Sequence, residues 1–379
     1  MVQLDGVFEI KIAIQGKPVL RREISMRAGP YILGPMHGTS PVKSIVQCLA
    51  RKEGTDEFYT LKILLLPPKE EETQDDRQGK MLLHTEYSLL SLLHDLPHVS
   101  HHHGFFKDLA VEEHVSSDGL TETIGNQCQR LCLVLDCLTP HEFCPQSMDL
   151  INLQRYIIRE KKLSEHDALI IFYHTVCVVE KLHKRNIVHR DLKLGNLVLH
   201  QESLKVTITN FCLGKLLSSE NDLLCDQRGS PAYISPDVLC GKPYLGKPSD
   251  MWALGVVLFT MLYGQFPFYD SSPTQLFNKI KAADFMIPND GRVSELTKHL
   301  IRRLLVLEPR FRLTASEVKD ILMFIITTNS RSYYEPLQGF SGGIPEKILG
   351  EGRSIFRVIS EQFVPFTWQR TTIIRWSKY

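Results

Sequence analysis

Apolar and polar positions along the chain follow two different periods. Residues 58–64 alternate with the two-residue period of a strand that buries one face, and residues 8–14 do the same before breaking at Gln15-Gly16-Lys17-Pro18. Leu131-Cys132-Leu133-Val134-Leu135 is a short continuous apolar run that reads as a buried strand. Residues 82–93 instead repeat apolar side chains at helical spacing. From residue 148 onward that spacing dominates: 148–161, 168–183 behind the capped start Ser164-Glu165-His166-Asp167, 251–263 and 274–283. The run at 251–263 is too short to span a bilayer and predicts a buried helix. The proline-started charge run 67–77 predicts a solvated loop, and the polar stretch 108–129 predicts another.

One stretch carries chemistry as well as a fold. Ile187-Val188-His189-Arg190-Asp191-Leu192-Lys193-Leu194-Gly195-Asn196 is followed by the apolar Leu197-Val198-Leu199, and it fits the pattern H-R-D-L-K-x-x-N. It resembles the eukaryotic protein kinase family, in its serine/threonine form because Lys193 lies two residues after Asp191. The resemblance implies an α+β, bilobal kinase fold with a small, mostly β lobe carrying one regulatory helix and a larger, mostly α lobe. It also implies roles: Asp191 accepts the substrate hydroxyl proton, Lys193 neutralises the moving phosphoryl group, and Asn196 holds a magnesium ion. A structural role is open too, since a His-Arg-Asp turn can persist by packing its loop on the helices.

Further matches fall in family order. Lys62 stands at the lysine of V-A-I-K, Glu86 at its helical partner, Leu135 at the gatekeeper and Asp136 at the first hinge position, which makes all four nucleotide-binding by resemblance. A Lys62–Glu86 pair also forms without nucleotide. The glycine-rich phosphate loop does not fit. Started at Gly34, its second and third glycines become Met36 and Thr39; anchored on Val46, the three become Thr39, Pro41 and Ser44. Gly34 and Gly38 are expected to serve as turn residues.

The family's metal-binding Asp-Phe-Gly is replaced by Asn210-Phe211-Cys212. An amide in place of the carboxylate keeps the shape and removes the charge that a hard dication prefers, which should raise the barrier by roughly 3–6 kcal/mol. Cys212 adds a β-carbon where glycine lets the segment swing. Gly229-Ser230-Pro231-Ala232-Tyr233-Ile234-Ser235-Pro236-Asp237 resembles the end of an activation segment. Asp237 should pair with Arg312, and Asp250 should brace the catalytic loop. Ser218 and Ser219 are candidate phosphorylation sites for pairing with Arg190, with Glu220 or Asp222 as alternative occupants of that arginine.

At 379 residues the chain suits a kinase fold with extensions: 1–27, a small lobe at 28–138, a large lobe at 139–326 and a tail at 327–379. Its formal net charge of +1 argues against nucleic acid or an anionic membrane as partner. Nine scattered cysteines, an odd number, and a start without a basic, apolar leader suggest an intracellular protein of cytoplasm or nucleus. Cys128, Cys132, Cys137 and Cys144 cluster, but not at zinc-binding spacing; His101-His102-His103 would point to alternate faces if extended.

In the tail, Ser360-Glu361-Gln362-Phe363-Val364-Pro365 resembles the motif with which Tribbles pseudokinases engage an E3 ubiquitin ligase of the constitutive-photomorphogenesis type, so Glu361, Val364 and Pro365 are candidate partner-binding residues. An ordinary apolar turn is the alternative. The leading expectation is therefore a catalytically impaired pseudokinase serving as scaffold or ligase adaptor for an unidentified client. It requires no cofactor, and any binding of ATP and magnesium is expected to be weak. The alternative is a weak serine/threonine kinase using Lys62, Asp191 and Asn196 with one metal ion.

Overall fold

Alternation in the first part of the chain builds one antiparallel sheet. Its strands are β1 (Arg27–Ala28), β2 (Tyr31–Met36), β3 (Ile45–Lys52), β4 (Phe58–Leu66), β5 (His102–Val115) and β6 (Thr121–Asp136), in the spatial order β1-β2-β3-β4-β6-β5. Helix α1 (Gln74–Leu92) connects β4 to β5. The computed structural model describes residues 27–38, 40–115, 121–141 and 143–332. The expected strand at 8–14 and the tail residues Glu361, Val364 and Pro365 lie outside the described residues. Two compact units are present: one ends at Ser147 and includes Thr209–Gly214, the other comprises Met148–Ile208 and the chain from Lys215 onward. The first unit thus runs past residue 138, the boundary expected from sequence.

Because successive strand residues face opposite ways, β4 separates structure from chemistry. Leu61 and Ile63 join Cys48, Ala50, Cys132 and Val134 in a buried cluster closed by Ala28 and Tyr31. Thr60 and Lys62 face the other way and are buried as well. Burial pushes the Cys48 and Cys132 thiols up to about 12, with nearby Arg130 opposing it, so both behave as small hydrophobes.

Two polar stretches depart from expectation. Helix α1 starts inside the charge run because Thr73 and Asp76 form a reciprocal capping box, which satisfies amides that the apolar period does not report. Residues 108–115 and 121–129 are strand rather than loop, with β5 and β6 paired out to Val115 and Thr121. Ladder bonds are made by the main chain, so polar side chains do not prevent them. Gly34, expected in a turn, lies within β2 at a register irregularity.

The base of this hairpin is tied by charge. Buried Arg130 donates through Nε to Asp108 at 3.0 Å and through Nη2 to both Asp108 and the Arg27 carbonyl, while the Gly29 amide donates to Asp108 at 3.2 Å.

The second unit is mostly helical. In chain order it contains β7 (Leu150–Asn152), α2 (Leu153–Glu160), α3 (Glu165–Lys184), β8 (Ile187–Val188), β9 (Leu197–His200), β10 (Lys205–Ile208), β11 (Lys215–Leu216), β12 (Leu223–Leu224), α4 (Pro236–Leu239), β13 (Tyr244–Leu245), α5 (Gly246–Tyr263), α6 (Pro273–Ala282), α7 (Glu295–Leu304) and α8 (Ala315–Ser332). Ser164 caps α3 by accepting from the Asp167 amide, and acidic residues begin that helix while Lys181, His183 and Lys184 end it, matching the helix dipole. Helix α5 is buried continuously from Asp250 to Leu262. It ends at Gly264, whose φ of 67° and 2.0 Å approach of a would-be β-carbon to the Lys161 carbonyl admit only glycine. No helix among the described residues is long and apolar enough to cross a membrane.

Removing one member of a buried ion pair strands the other. Asp108→Ala should therefore destabilise the protein by roughly 3 kcal/mol in urea unfolding, with Asp108→Asn intermediate.

Candidate functional site

Lys62 is held from two sides within the first unit. Its Nζ donates to Glu86 Oε2 at 2.6 Å and to Asn210 Oδ1 at 2.9 Å, and the other Glu86 oxygen accepts the Phe211 amide at 3.1 Å. Asn210 adopts a left-handed backbone (φ 66°), which asparagine tolerates better than most residues. Its side-chain oxygen also accepts from the Cys212 thiol at 3.3 Å. Lysine and glutamate balance one another and the amide adds nothing, so the group is neutral. A magnesium ion at Asn210 would share its oxygen with an ammonium and meet no carboxylate from that residue, so this donor set does not suit a hard dication.

Leu135 pairs with Thr60 across β4 and β6. The Asp136 carboxylate is occupied, accepting from the His101 amide at 2.8 Å and lying 2.6 Å from His103 Nε2. Burial would raise this carboxyl, but the His103 contact and the His101 amide outweigh burial and hold it below the ordinary range. Its own amide donates to the His101 carbonyl. The imidazole of His37, just beyond β2, lies between Thr60 at 3.4 Å and Thr139 at 3.5 Å, and its backbone amide donates to the Gln47 carbonyl. It therefore lies beside Thr60, the strand partner of Leu135, which the resemblance assigns to nucleotide. Sequence reasoning missed His37; the signal was a bulky, polar residue in a stretch where the family has glycines.

In the second unit the catalytic-loop residues converge. Asp191 Oδ1 accepts from Ser230 Oγ at 2.8 Å; Oδ2 accepts from Asn196 Nδ2 at 2.9 Å and from Lys193 Nζ at 3.0 Å. Lys193 also donates to Ser230 at 2.7 Å, and Asn196 donates to the Asp191 carbonyl at 2.7 Å. Asp191 and Asn196 are buried. This arrangement presents an aspartate with a neighbouring cation and amide, the groups a proton acceptor in phosphoryl transfer needs.

Arg190 has an acidic partner that the sequence reading did not name. Its guanidinium is bound by Asp226 at 2.7 Å. Ser218, Ser219, Glu220 and Asp222 are engaged locally: the Ser218 amide donates to Asp222, the Asp222 amide to the Ser219 carbonyl, and Glu220 pairs with Lys247 at 3.1 Å. Arg312 pairs with Asp237, donates to the Pro248, Val306 and Leu307 carbonyls, and lies 5.0 Å from the centre of the Trp252 ring.

Two lines of comparison agree with this geometry. The protein kinase domain family matches residues 43–324, and the chain belongs to that family. Within it, serine/threonine-protein kinase 40 of Gallus gallus is 66% identical over 305 residues, covering 80% of this chain and 70% of the relative. The Homo sapiens protein of the same name is 62% identical over 319 residues, covering 83% and 72%. Tribbles homolog 2 of Canis lupus familiaris is 40% identical over 171 residues, 45% of this chain and 49% of the relative.

Asp250 holds the catalytic loop from beneath. Its carboxylate accepts from the His189 amide at 2.9 Å, the Arg190 amide at 2.8 Å and His183 Nε2 at 3.0 Å. Burial pushes this carboxyl upward, but the His183 contact and the amide donors outweigh it and hold it below the ordinary carboxylate range. A carboxyl lowered on folding contributes stability that is present above its unfolded pKa, about 3.9, and is lost as pH falls through the lower folded value. Wild type should lose stability below about pH 4, whereas Asp250→Asn should be weaker by about 2–4 kcal/mol at pH 7 and flatter in acid, as read by urea unfolding across pH.

Proposed function

We propose that this chain is a pseudokinase: a serine/threonine kinase fold that presents surfaces to a client protein and carries a tail that recruits an E3 ubiquitin ligase of the constitutive-photomorphogenesis type. The observation that carries the first part is the neutral Lys62–Glu86–Asn210 group, in which the lysine assigned to the phosphates already donates to a carboxylate and an amide, two of its three ammonium donors. His37 supports it by lying against Thr60, the strand partner of Leu135. The recruiting role rests on Glu361, Val364 and Pro365 in a Val-Pro segment suited to a preformed groove, since a stiff extended peptide loses little entropy on docking. Its even charge balance favours protein partners over nucleic acid or membrane, and its scattered cysteines favour cytoplasm or nucleus.

A weak kinase is the second reading, favoured by the complete Asp191, Lys193, Asn196 and Ser230 constellation. Thermal-shift titration separates the two. Wild type is expected to show no magnesium-dependent shift with ATP and no phosphate transfer to a protein substrate. Transfer that Asp191→Asn abolishes would establish the kinase reading. Asn210→Asp alone should stay inactive, and nucleotide binding should appear only when His37→Gly is added. For the tail, Val364→Ala with Pro365→Ala should abolish ligase capture without changing the melting temperature; equal capture by both proteins would remove that role.

A further inference from the structure

The stretch from Leu223 to Ile234 is fixed to the catalytic loop by charge that it carries itself. Arg190 is nearly buried, with its backbone left-handed (φ 62°), and its NH1 donates to Asp226 Oδ1 at 2.7 Å. The second Asp226 oxygen accepts from Arg228 Nε at 2.6 Å. The Tyr244 hydroxyl donates to the Asp226 carbonyl at 3.1 Å, and Tyr244 belongs to a buried cluster with Val188, Leu217, Leu224 and Val238. Three residues on, Gly229 passes over the Arg190 carbonyl, where a β-carbon would come within 3.3 Å, and Ser230 reaches Asp191 and Lys193. Two guanidinium groups thus converge on one carboxylate, which leaves an excess positive charge of the kind that ordinarily binds a phosphate.

We propose that Asp226 is a built-in substitute for a phosphorylated side chain: it neutralises Arg190 and orders residues 223–234 in the unmodified chain, so that Ser218 and Ser219 are not the switch. The carboxylate supplies the same bidentate acceptor geometry as a phosphate with less charge, and it is present from synthesis. Burial raises the Asp226 carboxyl, and Arg190 and Arg228 more than reverse this, in keeping with a permanently ionised group. The inference stands whether or not the chain transfers phosphate, because nothing in it passes through nucleotide.

The test uses full-length protein shown by mass to be unphosphorylated. Asp226→Ala should lower the melting temperature by roughly 3–8 °C. It should also speed amide exchange across 223–234 by about tenfold or more. The vacated pair of arginines should then accept an oxyanion, so millimolar sulfate or inorganic phosphate should restore much of the lost stability and protection in Asp226→Ala while leaving wild type unchanged. Asp226→Glu should behave like wild type, and Asp226→Asn like the alanine variant. Wild-type protection in Asp226→Asn, or equal stabilisation of wild type and variant by the anion, would overturn the proposal. Should the variants not fold, amide exchange in unmodified wild type decides: a protected 223–234 segment supports the inference, and an unprotected one removes it.

Discussion

A single ammonium group sets the character of the first unit. Lys62 is buried with one carboxylate, Glu86, and one neutral amide, Asn210, and their charges sum to zero. With an aspartate at position 210 the same three groups would carry a net negative charge in a poorly hydrated place, and a dication would be the natural means of balancing it. The amide removes that demand while keeping the hydrogen bond. An amide at 210 therefore takes away the unbalanced charge that would call for a cation there. Glu86 is bound into the same group through the Phe211 amide, so α1, β4 and the segment after Thr209 are fastened together by protein groups alone.

The catalytic-loop side shows how motif and function separate. Asp191 accepts from Ser230, Asn196 and Lys193, and each of those donors would lose a charged, buried partner if Asp191 were lost. The aspartate is thus held in place by local satisfaction of hydrogen bonds, whatever chemistry passes over it. The same is true of Asp250, which terminates two loop amides and a buried histidine, and of Arg312, which closes three carbonyls besides Asp237. Residues that look catalytic in a linear pattern are also the ones that keep the loop from carrying orphaned polar groups.

Much of the fold was legible because its motifs are local. H-R-D-L-K-x-x-N places Asp191, Lys193 and Asn196 within six residues, and the alternation at 58–64 fixes which face of β4 holds Lys62. What was illegible has two causes. Helix α1 begins in a charged run, and β5 and β6 continue through polar residues, because caps and ladders are main-chain matters that the apolar period does not record. The other misses are long-range choices among equivalent candidates. Arg190 had two serines and two nearer acids to choose from, and its partner is Asp226, 36 residues away, once Glu220 is drawn off to Lys247 and Asp222 to the Ser218 amide. His37 reaches Thr139, 102 residues distant, only after the β2–β3 connection has turned.

Placement of charge joins these observations. The position that would hold metal has lost a carboxylate, while the position that meets Arg190 has one without any modification. On the proposed reading both differences replace something supplied from outside: a metal ion in the first case, a phosphate in the second. A kinase controlled by ligand and phosphorylation needs each of these positions to be incomplete until the effector arrives, because an effector can shift an equilibrium only by the contacts it adds. Here Asn210 and Asp226 complete them from within the sequence. Under the pseudokinase reading proposed above, regulation of such a chain would fall to its partners, since contacts that would otherwise respond to nucleotide or phosphate are made within the chain.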